Sequence, residues 1–176
     1  MKTFTITVGL PGSGKSTYAD KHFRHALRLE RDRMRECLFG DRQRYHGELA
    51  TKPDLALLVG PTMHKAMLTA MQHRIYDDII LSDTGLAWAA VAQFHKAARS
   101  FDMAVNVVYF DLTWGEIVDR NATRPKEHQV PMTVLERFWR MQHAMPLGDE
   151  VNEQWWLNPR KVNHLIRINA KGEICG

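Results

Sequence analysis

Cysteine is scarce: Cys37 and Cys175 are the only two in 176 residues. A single pair makes neither a disulfide framework nor a metal-ligand set, so cross-linked scaffolds and cysteine-based zinc folds are excluded. Both are read as free thiols in a reducing cytoplasm. No apolar run reaches the roughly 18 residues that a membrane helix needs, and no membrane partner is expected. Internal repeats and low-complexity linkers are also missing. The opening stretch MKTFTITVGL is too short and too strand-like for a secretory leader. Charge is not strongly one-sided: the net value is +4 and the isoelectric point about 9.2. That permits a nucleic-acid partner without requiring one.

What is present fits one globular domain, with 44% hydrophobic and 25% charged residues. Residues 3–8 are rich in Thr, Phe, Ile and Val and read as a strand. Residues 15–27 read as a helix with Tyr18, Phe23 and Leu27 inward, and LRLE (27–30) as a second short extended piece before a helical RDRMRECLF. Met63, Met67 and Met71 recur every four residues and Ile75 follows, so 62–76 reads as an amphipathic helix with the methionines in the core. IILSD (79–83) and MAVNVVYFD (103–111) are nearly continuous apolar runs, the pattern of strands buried on both faces of a parallel sheet. Helices are expected over 86–101, 113–124 and 133–145. Alternating strands and helices define an α/β fold with a mainly parallel sheet flanked by helices. Near the end, HLIRINAKGEIC (164–175) reads as a β-hairpin around Ala-Lys-Gly, with Trp155 and Trp156 anchoring the tail.

Residues 9–17 are GLPGSGKST. The spacing Gly9-x-x-x-x-Gly14-Lys15-Ser16, after a strand and before a helix, is that of a phosphate-binding loop. Gly12 and Gly14 allow backbone dihedrals that a side chain blocks. The amides of Gly12, Ser13, Gly14, Lys15, Ser16 and Thr17 form an anion nest at a helix N-terminus. Lys15 adds a positive charge near the terminal phosphates, and the Ser16 hydroxyl is the candidate Mg²⁺ ligand. The loop implies a nucleoside triphosphate, with ATP the expected donor. It does not separate a kinase from other NTPases.

The acceptor side is read from later residues. Asp32 and Arg35 share a face if a helix starts after Glu30. They fit either a proton-accepting carboxylate beside a phosphate-gripping guanidinium, or a solvated ion pair. Asp83-Thr84 ends an apolar strand as a Walker B-like acid does, or else caps the next helix. Arg120 and Arg124, four apart before a proline, either close over a transferring phosphoryl group or form a basic helix end. Arg24, Arg28, Arg31, Arg33 and Arg35 form a basic cluster. Arg42, Arg44, Tyr45 and His46 interleave charge with an aromatic ring and fit a strand-tracking surface or a solvated loop.

GLPGSGKSTYA, RDRMR, IILSDT and DRNATRPKEHQVP, in this order, resemble the kinase domain of phage-type polynucleotide kinases, over about residues 2 to 145. The resemblance implies transfer of the ATP γ-phosphate to a 5′-hydroxyl of DNA or RNA, with Mg²⁺. It implies that Lys15 and Ser16 hold donor phosphates and metal, and that Asp32 is the general base. Arg35 would grip an acceptor 3′-phosphate. Asp83 and Thr84 would line the acceptor channel, Arg124 would be the lid arginine, and Val130 would touch the acceptor nucleotide. Arg120 joins the nucleotide-binding set. Residues 1–147 would form the P-loop kinase domain and 148–176 a C-terminal extension packed on it. Glu30 stands where the family commonly has Asn, and Gly85 where an Asn is usual. No Asp-x-Asp-Gly-Thr phosphatase motif occurs. Two rivals remain: a kinase of a small-molecule hydroxyl (nucleoside, sugar or antibiotic), and a non-catalytic ATP-binding module.

Overall fold

The computed structural model describes residues 2–40, 56–145 and 154–175. The first strand, β1 (Thr3–Val8), puts Phe4, Ile6 and Val8 in the core, and Thr5 and Thr7 on its other face are buried as well. A strand covered on both faces belongs in the middle of a sheet. It pairs in parallel with β3 (Asp78–Leu81) on one side and β4 (Ala104–Phe110) on the other. With β2 (Leu27–Leu29) and β5 (His164–Ile168) the order is β2-β3-β1-β4-β5, and every pairing is parallel. The central place of β1 sets its C-terminal end, where the glycine loop begins, between the ends of β3 and β4. This is the expected α/β architecture.

The helices are α1 (Lys15–His22), α2 (Arg31–Phe39), α3 (Ala56–Gln72), α4 (Trp88–Ser100), α5 (Trp114–Ala122) and α6 (Met132–Gln142). They cover two clusters of apolar side chains. The larger contains Phe4, Met63, Met67, Phe94, Trp155 and Trp156. The smaller contains Leu10, Val108, Phe110, Ile117, Leu135 and Ile168. Both tryptophans are fully covered, and Trp156 stacks on Tyr109 with ring centroids 6.0 Å apart.

Two expectations need correction. The first helix stops at His22, where the Phe23 N–H caps on the Ala19 carbonyl, because Leu27 is taken into β2 opposite Ile79. The methionine helix begins earlier, at Ala56, and ends at Gln72. Arg74 there adopts φ 53°, and the Ile75 N–H reaches back to the Ala70 carbonyl at 3.0 Å. This left-handed closure turns Ile75 out to 58% exposure, whereas Met63, Met67 and Met71 are buried. At the C-terminus, the hairpin expected around Ala-Lys-Gly is present and joined to the main body, with His164–Ile168 as its first arm. That arm extends the main sheet in parallel with β4, because the outer edge of β4 needs backbone partners. The return arm is a single antiparallel bridge from Ile168 to Ile174.

Candidate active site

Each glycine at the start of α1 has a local cause. A Cβ on Gly9 would sit 2.9 Å from both the Phe110 Cβ and the Ser13 Oγ. Gly12 and Gly14 hold φ of 84° and 101°, the left-handed region that disfavours side chains. Gly14 is the N-cap of α1, and its carbonyl accepts the Tyr18 N–H at 2.9 Å. Lys15 folds back over the loop. Its Nζ donates to the carbonyls of Gly9 (2.9 Å) and Leu10 (2.6 Å) and to Ser13 Oγ (3.3 Å). Loss of hydration lowers its pKa from 10.5 to about 8; Asp83 and Asp32 oppose this shift and Arg124 adds to it. Carboxylates on two other segments and a guanidinium on a third therefore lie within electrostatic reach of the loop lysine. Ser16 and Thr17 are exposed in the first turn of α1. Magnesium is satisfied largely by phosphate oxygens and water, so the exposed Ser16 hydroxyl suits it as a single protein ligand.

The segment after β3 is stitched to β1. Thr7 Oγ1 donates to the Asp83 carbonyl at 2.8 Å, and the Gly9 N–H to the Thr84 carbonyl at 3.0 Å. Gly85 has φ 64°, and a Cβ there would lie 2.2 Å from the Thr7 carbonyl oxygen. The sequence departure at this position is thus required by the close approach of two backbones. Asp83 does not cap α4, whose N-cap is Ala87. One of its oxygens accepts the Thr84 N–H at 2.8 Å, and the other pairs with Arg31 Nε. Arg31 also donates to the Ala90 carbonyl at 3.1 Å, tying the start of α2 to α4.

On α2, Asp32 and Arg35 share a face and pair at 2.7 Å. Asp32 is 64% exposed. The buried Glu30 at the N-cap receives Arg33 at 2.7 Å and also Arg28, and Asp20 pairs with Arg28 and with Arg33 at 3.4 Å. Thus Arg28, Arg31, Arg33 and Arg35 each face a carboxylate. Arg42, Arg44, Tyr45 and His46 lie outside the described residues.

The opposite wall is α5 and the chain after it. A capping box starts α5: the Glu116 N–H donates to Thr113 Oγ1 at 3.3 Å, and the Thr113 N–H to Glu116 Oε2 at 2.8 Å. Arg120 then reaches the glycine loop. It donates to the Ser13 carbonyl at 3.1 Å, the Gly12 carbonyl at 3.4 Å and the Ala170 carbonyl. Arg124 lies just past the helix, and the Gln129 side chain donates to its carbonyl at 2.9 Å. Val130 packs on the smaller apolar cluster and is held at both backbone groups by Asn121, each bond 2.9 Å. Sequence reasoning missed Asn121 and Gln129, and placed Arg31 only in a basic cluster, without its partner Asp83. The available signal for Asn121 was a poor helix former inside a helical pattern.

A parallel sheet, a glycine turn at the end of its central strand and a Lys-Ser helix start define a P-loop nucleotide-binding domain of the kinase-like kind. The chain belongs to the AAA domain family, which matches residues 4–145. Two solved structures share the fold. One, titled a "putative kinase" from Chloroflexus aurantiacus J-10-fl, superposes with a TM-score of 0.60 at 16% identity, covering 96% of this chain and 85% of that one. The other, titled a sugar kinase from Janibacter sp. HTCC2649, gives a TM-score of 0.56 at 15% identity, covering 98% and 88%. Among the described residues, no helix is long and apolar enough to cross a membrane.

Proposed function

We propose that this protein transfers the terminal phosphoryl group of ATP to a hydroxyl of a small molecule. The observation that carries the choice of acceptor is the pairing of Arg28, Arg31, Arg33 and Arg35 with Asp20, Glu30, Asp32 and Asp83. Among the described residues these four guanidinium groups meet four carboxylates, so this part of the acceptor side is a mesh of ion pairs. A surface that tracks a nucleic-acid backbone keeps its cations available for phosphate. The fold shared with a structure titled a sugar kinase supports the same acceptor class.

The chemistry follows from the side chains around the loop. The backbone amides of residues 12–17 bind the phosphates, and Lys15 exchanges its carbonyl contacts for phosphate oxygens. An Asp32 oxygen accepts the proton of the incoming alcohol as its oxygen bonds to the terminal phosphorus and the bond from that phosphorus to the bridging oxygen breaks. The products are the phosphate ester, ADP and a proton on Asp32 that passes to solvent. Arg124 and Lys15 neutralise charge on the transferring group. Mg²⁺, held by Ser16 and the phosphates, supplies further charge neutralisation when bound. Asp83 and Thr84 form the floor of the acceptor site.

The Asp32–Arg35 pair favours a second reading, as a polynucleotide 5′-hydroxyl kinase. It sits at a partly exposed site, where a 3′-phosphate on an acceptor can take Arg35 from Asp32. Labelled ATP offered in parallel with free sugars, a nucleoside, a 3′-nucleoside monophosphate and a 5′-hydroxyl oligonucleotide tests both. The expected result is faster transfer to a free sugar or nucleoside than to the oligonucleotide, with little dependence on salt. Preference for 3′-phosphorylated acceptors, weakening with salt, would establish the second reading. Nucleotide binding without transfer to any acceptor would sink both.

A further inference from the structure

Far along the chain, the turn after β5 is one guanidinium away from the phosphate loop. Arg120 donates to Gly12 and Ser13 on one side and to the Ala170 carbonyl on the other. The Ser13 carbonyl belongs to the peptide that carries the Gly14 N–H, an amide of the anion nest. A cation on that carbonyl fixes the peptide plane and strengthens its N–H as a donor. The Arg120 Nη2 bond to the Ala170 carbonyl anchors the other end of the same guanidinium.

The anchor is built around Asn169. Its Oδ1 accepts the N–H of Lys171 at 2.9 Å and of Glu173 at 3.0 Å, and its Nδ2 donates to Glu173 Oε2 at 3.0 Å. Its own N–H donates to the Glu173 carbonyl at 3.0 Å, and its carbonyl accepts the Gly172 N–H at 2.9 Å. These bonds hold the Ala170 carbonyl towards Arg120. We infer that Asn169 is a positioning residue for nucleotide binding, acting through Arg120 on the phosphate loop. This role rests on the reading that the loop binds ATP, and no acceptor is needed to test it.

The experiment is ATP binding by titration calorimetry on the full chain. Asn169→Ala is expected to raise the Kd for ATP about tenfold, the scale of one charge-assisted hydrogen bond. Asn169→Asp keeps both accepted bonds but sets a carboxylate oxygen against Glu173 in place of the Nδ2 donor, so it is expected to restore only part of the affinity. In an Arg120→Ala background, Asn169→Ala has no further effect. Should Asn169→Ala not fold, amide exchange on the unaltered protein takes its place: ATP slows exchange at Lys171 and Glu173. An unchanged Kd in Asn169→Ala, an equal loss with and without Arg120, or exchange indifferent to ATP would overturn the role of Asn169 alone. Failure of the unaltered protein to bind ATP would overturn the phosphotransfer reading as well.

Discussion

Trp155 donates its indole N–H to the carbonyl oxygen of Gly85 at 2.9 Å. The bond fastens the C-terminal part of the chain to the strap that carries Asp83 and Thr84. The same glycine has no room for a side chain, since a Cβ would lie 2.2 Å from the Thr7 carbonyl oxygen at a φ of 64°. Gly85→Ala must therefore push the strap away from β1. It is expected to cost about 3 kcal/mol or more, from backbone strain and steric overlap together. Trp155→Phe loses the hydrogen bond and leaves a void in a fully buried site, and is expected to cost about 2 to 4 kcal/mol. Urea denaturation measures both. A loss under about 1 kcal/mol in Gly85→Ala would mean that the strap is not pinned.

The strand, glycine loop and first helix were legible because each glycine answers a local demand visible in the spacing. The parallel sheet was legible because β1 and β4 are covered on both faces and carry few charges. The extent of α1 was not, since Phe23 and Leu27 continue a helical spacing that pairing with β3 overrides. Nor was the place of β5. Ala-Lys-Gly is a sound turn signal, but the free edge of β4 decides the strand's partner. In the site, the acids and arginines could be named from their positions. The Asp32–Arg35 pair was legible from its i, i+3 spacing, but the Asp83–Arg31 pair was not, because these two come together only through the sheet. With the pairs that Asp20, Glu30 and Asp32 make, that pair turns a basic-looking segment into a mesh of ion pairs.

Asp32 is exposed, stands on the first turn of α2, and acts electrostatically on Lys15 without a hydrogen bond to the loop. Its removal should leave nucleotide binding intact and disable proton transfer. Asp32→Ala is expected to keep its ATP Kd within about twofold and lose more than about a hundredfold in kcat. Steady-state kinetics with the best acceptor, beside an ATP titration, checks the split. Near-normal turnover would remove Asp32 from the base role.

Lys15 predicts a pH dependence whose sign differs for folding and for binding. Its folded pKa, about 8, lies below its ordinary 10.5. Between these values the unfolded chain binds more protons than the folded one, so this lysine's contribution to stability rises with pH across that window. Below about pH 8 the cost of holding the charge is fully present. ATP binding runs the other way, because phosphate oxygens favour the protonated amine. At pH 8.5, binding is expected to take up a fraction of a proton, and affinity to fall as pH rises above 8. Calorimetry in buffers of different ionisation enthalpy reads the uptake directly. Proton release, or none, would contradict the lowered pKa.

Asn121 clamps the far end of the segment that carries Arg124. Its buried amide donates to the Val130 carbonyl and accepts the Val130 N–H, both at 2.9 Å, closing the segment that contains Arg124 into a loop. Gln129 braces the same loop from within by donating to the Arg124 carbonyl at 2.9 Å. Asn121→Ala leaves two backbone groups of Val130 without these partners, at an expected cost of about 2 kcal/mol. The loop then samples more conformations, and the guanidinium spends less time near the transferring group. The expectation is a kcat lower by about tenfold with ATP affinity within about twofold. Asn121→Asp cannot donate to the Val130 carbonyl and buries a charge, so it should be no better than alanine. Val130→Ala, which keeps both backbone bonds, should retain most of kcat. If Asn121→Ala loses stability but keeps its turnover, Arg124 is held by its own side-chain contacts and the amide clamp only supports the fold.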